Sequence, residues 1–544
     1  MASGLNYNGL HMRFARSNKL TLYLIQLLVL IAFGFLSIML GQDTNWDLQN
    51  YHLYNPYAFL NGRLNLDLAP AGLQTYFNPI IDLVYFWAVR SLPPRVIGFL
   101  LGVIQGLNFI LIFNICQYCL KSIDLKSVRW AVILGLLGVL SVGFLSEIGT
   151  IMGDNIVSLF VLGALLMIII SFEPVMIKKR RVFFLLAFAG FVAGIGEGIK
   201  PICILYTFSM VISLLFTVNG LRNKLWSAAF FGIASLMGWM LIGAGWLWYI
   251  WHQTGNPIFP AINNIFHAKL AVLGPNVDVR FLHQNIFEKI IYPVIMTIKP
   301  LCASELSYKQ VSWALVYLIT LFLIIRNVFH FLRKLKWSPL SLQGKFLLIF
   351  FWVFFISWEN ITGIYRYLTA VEILIPLVVF IILADLCKSK LFVRLMIVII
   401  LCLAAVFNIH GMPSWGRSSW SKNFFRFQPT GILKKKIDAV ILIGQPLAWI
   451  VPALDIKAPF IQIMPNFSVT PAYWQRAKSI LNNSHRGKIL AIYDPLILST
   501  QEAVKRLKII DFILIDNNCT DETGYIGKQK LMYRMCPVEP IINN

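Results

Sequence analysis

Apolar runs long enough to cross a hydrocarbon core recur along this chain from Lys19 to His410, and no other feature restricts the fold so tightly. A bilayer core of roughly 30 Å takes about 20 residues of helix, and backbone polar groups in lipid must be bonded within the membrane structure. The runs are far too long for barrel strands, so they are helices. Composition agrees: 13% of the 544 residues are charged and 58% hydrophobic, where soluble domains hold about a quarter charged. An ordinary soluble enzyme is excluded.

The net charge of +23 would suit a nucleic-acid binder. Its placement does not, because Lys and Arg cluster in short connectors between apolar runs, where they set orientation by the positive-inside rule. Arg13, Arg16 and Lys19 put the N-terminus in the cytoplasm, ahead of a retained first helix over 19–40. Further helices are expected at 95–118, 128–146, 156–172, 182–197, 201–218, 226–250, 311–330, 346–358, 367–386 and 391–410. Lys121, Lys126, Arg129, Lys178–Arg181, Arg222, Lys224, the RKLK run at 333–336 and Lys388–Lys390 then fall on the inner side. The result is an all-α polytopic membrane protein of about eleven crossings. Residues 1–410 form its membrane domain, with a first outer loop at 41–94 and a long one at 251–309. Within the first loop, Asn78 to Val89 is half apolar and reads as an interfacial or re-entrant helix.

Residues 411–544 are less apolar and alternate strand-like runs (AVILIG, KILAIYD, DFILID) with helix-like ones (AYWQRAKSILNN, LSTQEAVKRLK). This predicts a small α/β domain, outside the cytoplasm by the helix count. A disulfide between Cys519 and Cys536 suits that compartment. Cys116 and Cys119 form a lone CxxC at a helix end, more often packing than chemistry.

Polar chemistry collects in the outer loops. Asp43 and Asp47 follow the first helix, then Tyr51, His52, Arg63 and Asp67. A carboxylate held beside aromatics at a membrane surface can take a proton from a sugar hydroxyl; the competing role for Asp47 is a helix cap. Glu147, Asp154 and Asn155 lie at the second outer turn, where acids beside hydrocarbon need a cavity or a partner. Asp154 can equally cap a helix, or join Asp47 in holding a divalent cation such as Mg or Mn. Lys200 can meet a phosphate or pair with Glu197. Trp251, His252 and GNPIFPAINNIFH, ending at His267, suit a rigid segment over a membrane-facing groove. Arg366 lies outside against the positive-inside trend, flanked by Tyr365 and Tyr367, and can clamp phosphate or pair with Glu359 or Glu372. The sequence carries no P-loop, GxSxG, HExxH or dinucleotide fingerprint in a suitable context. Outside the cytoplasm there is no ready nucleotide pool, so a lipid-carried donor fits better than a nucleotide sugar.

Taken with this layout, WDLQNYHLY (46–54), Asp154, GNPIFP (255–260) and GIYRYL (363–368) followed by Glu372 resemble segments of the GT-C glycosyltransferases. The likeness is to the bacterial protein-mannosyltransferase-like and aminoarabinose-transferase-like branches. Many members pair adjacent acids in the first loop, whereas here Asp43 and Asp47 are separated, so either can be the base, Asp47 matching better. The resemblance implies transfer of a sugar from a polyprenyl-phosphate carrier to a lipid or glycan hydroxyl, with inversion, at the periplasmic face of a bacterial inner membrane. It implies Asp47 and Asp154 as catalytic residues. Asp43, Tyr51, His52, Lys200, Tyr365, Arg366, Glu372 and His267 would bind substrate, with no certain cofactor, membrane lipids as partners and no nucleic acid. A flippase of lipid-linked saccharides, or an O-antigen ligase or polymerase, is the competing class; helix interiors poor in charge and an early acidic loop favour the transferase.

Overall fold

A computed structural model describes residues 7–123, 128–174, 179–276, 278–333, 340–386, 391–427, 437–483 and 488–541. Lys126, Lys178, Lys334, Lys336, Lys388 and Lys390, on which part of the expected orientation rests, lie outside the described residues.

Among the described residues, eight helices are long and apolar enough to span a membrane, and a bent pair makes nine. Val128–Val139 and Cys203–Thr217 are shorter apolar helices in two further expected places. The protein is thus a multi-pass membrane protein. The half-apolar stretch of the first loop forms its own helix, Ile80–Ser91.

Two expected helices are interrupted. The run at 128–146 stops at Val139, and a short turn of helix, Val142–Ser146, follows. There Gly138 lies so close to the carbonyl of Ile373 that a Cβ would come within 2.4 Å of its oxygen. The run at 367–386 breaks into Tyr365–Glu372 and Ile375–Ala384, bent by 47°. The break coincides with a buried carboxyl, Glu372, which accepts bonds from Gln310 Nε2 (2.7 Å), Tyr365 Oη (3.0 Å) and the Gly143 amide (3.1 Å). A buried carboxyl needs several partners, and neighbouring segments bend to supply them.

Lys179–Ile199 and Leu221–Thr254 pack along glycines spaced four apart. A Cβ on Gly190 or Gly194 would lie 2.0 Å and 1.9 Å from the carbonyl oxygens of Phe231 and Ser235. In lipid, where apolar side chains gain nothing by leaving solvent, such close backbone approach holds helices together.

The C-terminal part is a seven-stranded mixed sheet over β3 (Phe425–Phe427), β4 (Ile437–Ile443), β5 (Phe460–Gln462), β6 (Lys488–Tyr493), β7 (Phe512–Leu514), β8 (Thr520–Ile526) and β9 (Gln529–Pro540). The order is β3-β8-β9-β6-β4-β5, with β7 also on β9; β4 runs parallel to β5 and β6. Cys519 and Cys536 are bonded, one residue beyond the β8–β9 pair Thr520–Met535. Alternate residues of β4 face opposite cores. Val440 and Leu442 pack with Leu48, Tyr54 and Tyr57 of the first loop, while Ala439, Ile441 and Ile443 pack with Tyr473, Ala477 and Leu507 of the sheet's own helices.

The first loop is bound into this sheet. Leu68 pairs with Ile461 of β5 as a parallel bridge. Arg63 and Asp67 form a buried two-bond pair (2.9 and 2.8 Å), with Arg63 also donating to the carbonyls of Ile456 and Ala458, and Asp67 accepting from the Phe460 amide. Their charges serve this junction. The GNPIFP segment does likewise: Phe259 is buried between Tyr76 and Phe467, and Asn263 Nδ2 donates to the carbonyls of Ala268 and Ala271.

Candidate functional site

Beyond the first helix the chain makes a two-residue strand, β1 (Gln42–Asp43), paired antiparallel with β2 (Arg417–Ser418). Asp43 Oδ1 accepts from the Asn45 amide and its Oδ2 from the Ile151 amide, both at 3.0 Å, tying the first outer loop to the second. Burial raises the Asp43 pKa, against the Asn45 amide and the Arg417 charge, which lower it. Arg417 donates to the carbonyl of Ile148 (2.6 Å). Asp43 therefore positions loops. The cap on the next turn is Asn45, whose Oδ1 accepts from the Leu48 amide at 2.7 Å. Asp47 makes no capping bond and is left free for another partner.

That partner is Arg366, whose Nη1 lies 2.5 Å from Asp47 Oδ2. Asp154 pairs with Lys200 Nζ at the same distance, and Lys200 also donates to the Met152 carbonyl (3.2 Å). Gly153, at φ +90°, turns the chain so that Asp154 opens its helix beside Lys200. The two cations share one aromatic: Lys200 Nζ is 5.0 Å and Arg366 Cζ 5.6 Å from the ring centre of Tyr367. Trp415 lies 5.8 Å from Arg366 on another side. Acids from two loops and cations from two more thus meet at one end of the helical bundle. Pairing of Lys200 with Glu197, and of Arg366 with Glu359 or Glu372, is replaced by these contacts; Glu197 bonds Ser235 (3.0 Å) instead.

Burial alone would raise the Asp47 pKa, but the charge and hydrogen bond of Arg366, with the more distant Lys200 charge, outweigh it and hold the group below its ordinary 3.8. Glu147 is the opposite case. It is fully buried, neither oxygen has a hydrogen-bond partner among the described residues, and burial together with the Asp154 charge pushes its pKa well up. At Lys200 burial lowers the ammonium pKa, and Asp154 more than reverses this.

Tyr51 and His52 lie on a single wide helical turn, Leu48–His52, with ring centres 4.0 Å apart. His52 Nδ1 is 2.8 Å from Asp82 Oδ1, a residue on Ile80–Ser91 that sequence reasoning passed over. In sequence Asp82 is one acid on an otherwise apolar helix, and its partner is 30 positions away. Tyr365 and Glu372 are bonded to each other and to Trp313 and Gln310 behind Arg366, in a knot separate from the paired charges. Asn155 is structural, donating to the Phe144 carbonyl. His267 sits on the 251–309 loop with Nδ1 on the carbonyl of Ile265 in its own turn.

Among the described residues no group of three His, Cys, Asp or Glu side chains is placed to hold a metal ion. Asp47 and Asp154, the candidate ligands, each face a cationic side chain.

No protein-family model matches the sequence, and no curated protein does. Solved structures do. ArnT from Cupriavidus metallidurans bound to undecaprenyl phosphate is similar over 94% of this chain and 98% of its own, at 11% identity and a TM-score of 0.48. The Archaeoglobus fulgidus oligosaccharyltransferase in complex with Zn and sulfate is similar over 88% of this chain and 69% of its own, at 14% identity and a TM-score of 0.45. AglB from the same organism, with an inhibitory peptide and a dolichol-phosphate, is similar over 87% of this chain and 70% of its own, at 12% identity and a TM-score of 0.44.

Proposed function

We propose that this protein is a GT-C-type glycosyltransferase that moves a sugar from a polyprenyl-phosphate carrier to an acceptor hydroxyl on the periplasmic side of a bacterial inner membrane, with inversion. The observation that carries the reading is the pair of part-buried cations, Arg366 and Lys200, that share the Tyr367 ring beside Asp47 and Asp154. A phosphodiester arriving from the lipid phase would exchange for Asp47 and Asp154 as their partner, and preorganised cations would stabilise the charge that grows on the departing phosphate. The acids of the two outer loops would then face the acceptor. Sidedness rests on the basic connectors, which gather at the other helix ends, as with Lys121, paired there with Glu173. The carboxyl-rich first loop and the sequence resemblance favour transfer over transport.

The test uses purified full-length protein in lipid, with undecaprenyl-phosphate-linked mannose, glucose and arabinose derivatives as donors and a membrane lipid extract as acceptor. Wild type should transfer label, and Arg366→Gln and Lys200→Met should each lose about 10²–10³-fold, as when one preorganised charge-stabilising donor is removed. Movement of donor between leaflets without turnover would replace the reading with transport.

A further inference from the structure

Within that reading, we propose that His52, oriented by Asp82, is the general base that takes the acceptor's proton. His52 is 3% exposed and Asp82 2%. An ionised Asp82 only accepts, so the 2.8 Å contact calls for a proton on Nδ1, and a neutral ring then carries its lone pair on Nε2. Nε2 is buried and has no hydrogen-bond partner among the described residues. A buried acceptor left open is costly to maintain, and an incoming hydroxyl would satisfy it. An imidazole fixed by a carboxylate on one nitrogen and open at the other is the arrangement that general-base catalysis requires. Asp47, five residues earlier, is the counter-ion of Arg366 in this structure.

In the step, the acceptor O–H bond breaks and its proton passes to Nε2, giving an imidazolium paired with Asp82. The oxygen's electron pair forms the new bond to the anomeric carbon. The bond from that carbon to the phosphate oxygen breaks, and its pair leaves on the polyprenyl phosphate. The imidazolium then returns its proton to that phosphate or to water.

The experiment measures transfer by the reconstituted full-length protein across pH, with the donors and lipid extract named above. The charged groups acting on His52 are Asp82 on its helix, Asp47 on the same turn and Asp43 on β1. His52→Ala should lower kcat by about 10²–10⁴-fold with little change in donor KM. Added imidazole should restore at least about tenfold of that loss, which a merely structural residue would not allow. Asp82→Asn should shift the acidic limb of the pH–rate profile. Transfer by His52→Ala at the wild-type rate, or a loss that imidazole leaves unchanged, overturns the assignment. Should His52→Ala fail to fold, Asp82→Asn decides, an unmoved limb overturning it. If wild type transfers from no donor, the transferase reading itself fails and this assignment with it.

Discussion

Replacing Asp47 by Asn tests the charge balance at the centre of the site. Asp47 and Arg366 are 9% and 18% exposed as side chains and 2.5 Å apart, so little water screens them. Asp154 is committed to Lys200, which leaves Arg366 without a bonded anion once Asp47 is neutral. Removing one partner of a buried ion pair costs about 3–5 kcal/mol, because the survivor stays desolvated and uncompensated. Asp47→Asn should therefore melt well below wild type when purified protein is followed by thiol-reactive dye fluorescence. The double variant Asp47→Asn/Arg366→Gln should recover most of the loss, since no orphaned charge remains. Undecaprenyl phosphate at a hundred times its Kd should restore about 2.7 kcal/mol to the single variant, by binding the folded state alone. If Asp47→Asn melts with wild type, or the double variant is no more stable than the single, the two side chains are not the compensating pair described above.

The Asp47 pKa is depressed in the fold, so its contribution to stability is present above the ordinary 3.8 and is lost only as pH falls further; melting should show no loss from this pair between pH 8 and pH 5. Glu147 has the opposite sign. Its raised pKa means stability is full below the ordinary 4.5 and declines as pH rises toward its folded value, so Glu147→Gln should melt higher than wild type at alkaline pH and equally at pH 4. Cys519→Ser/Cys536→Ser opens a bridge across 17 positions and should cost the sheet about 3 kcal/mol, read as faster proteolysis of the C-terminal part. Arg63→Ala should cost about 3–5 kcal/mol by stranding the Asp67 carboxylate, with a lower melting temperature as the measure.

Hydropathy located the membrane helices to within a few residues at most ends, because burial in lipid imposes one requirement on every residue of a span. It could not locate the breaks near Val139 and Glu372, since those arise from Gly138 meeting Ile373 and from Glu372 collecting partners on other segments. In the site, the grouping of Asp47, Asp154, Lys200 and Arg366 was legible from their shared position at outer helix ends. Their pairing was not, because local rules offered Glu197, Glu359 and Glu372 as nearer partners. The capping role weighed for Asp47 falls to Asn45: both are good capping types, and only the direction of the chain at Leu48 selects Asn45. Arg63 and Asp67 looked like chemistry and are a clamp, while Asp82 looked like nothing and holds His52.

The parallel bridge between Leu68 and Ile461, with the Arg63 and Asp67 contacts beside it, makes a stretch near the N-terminus an extra edge of a sheet built almost 400 positions later. A part of the chain synthesised much later must therefore dock on the first loop before that loop acquires its final shape. A gene truncated after the last membrane helix would leave the Asp67 carboxylate and the Leu68 backbone groups without partners, a few turns from Asp47 and His52. Natural recombination could not exchange the terminal sheet between relatives without carrying the first loop along, so the two should be inherited as one unit despite the distance between them.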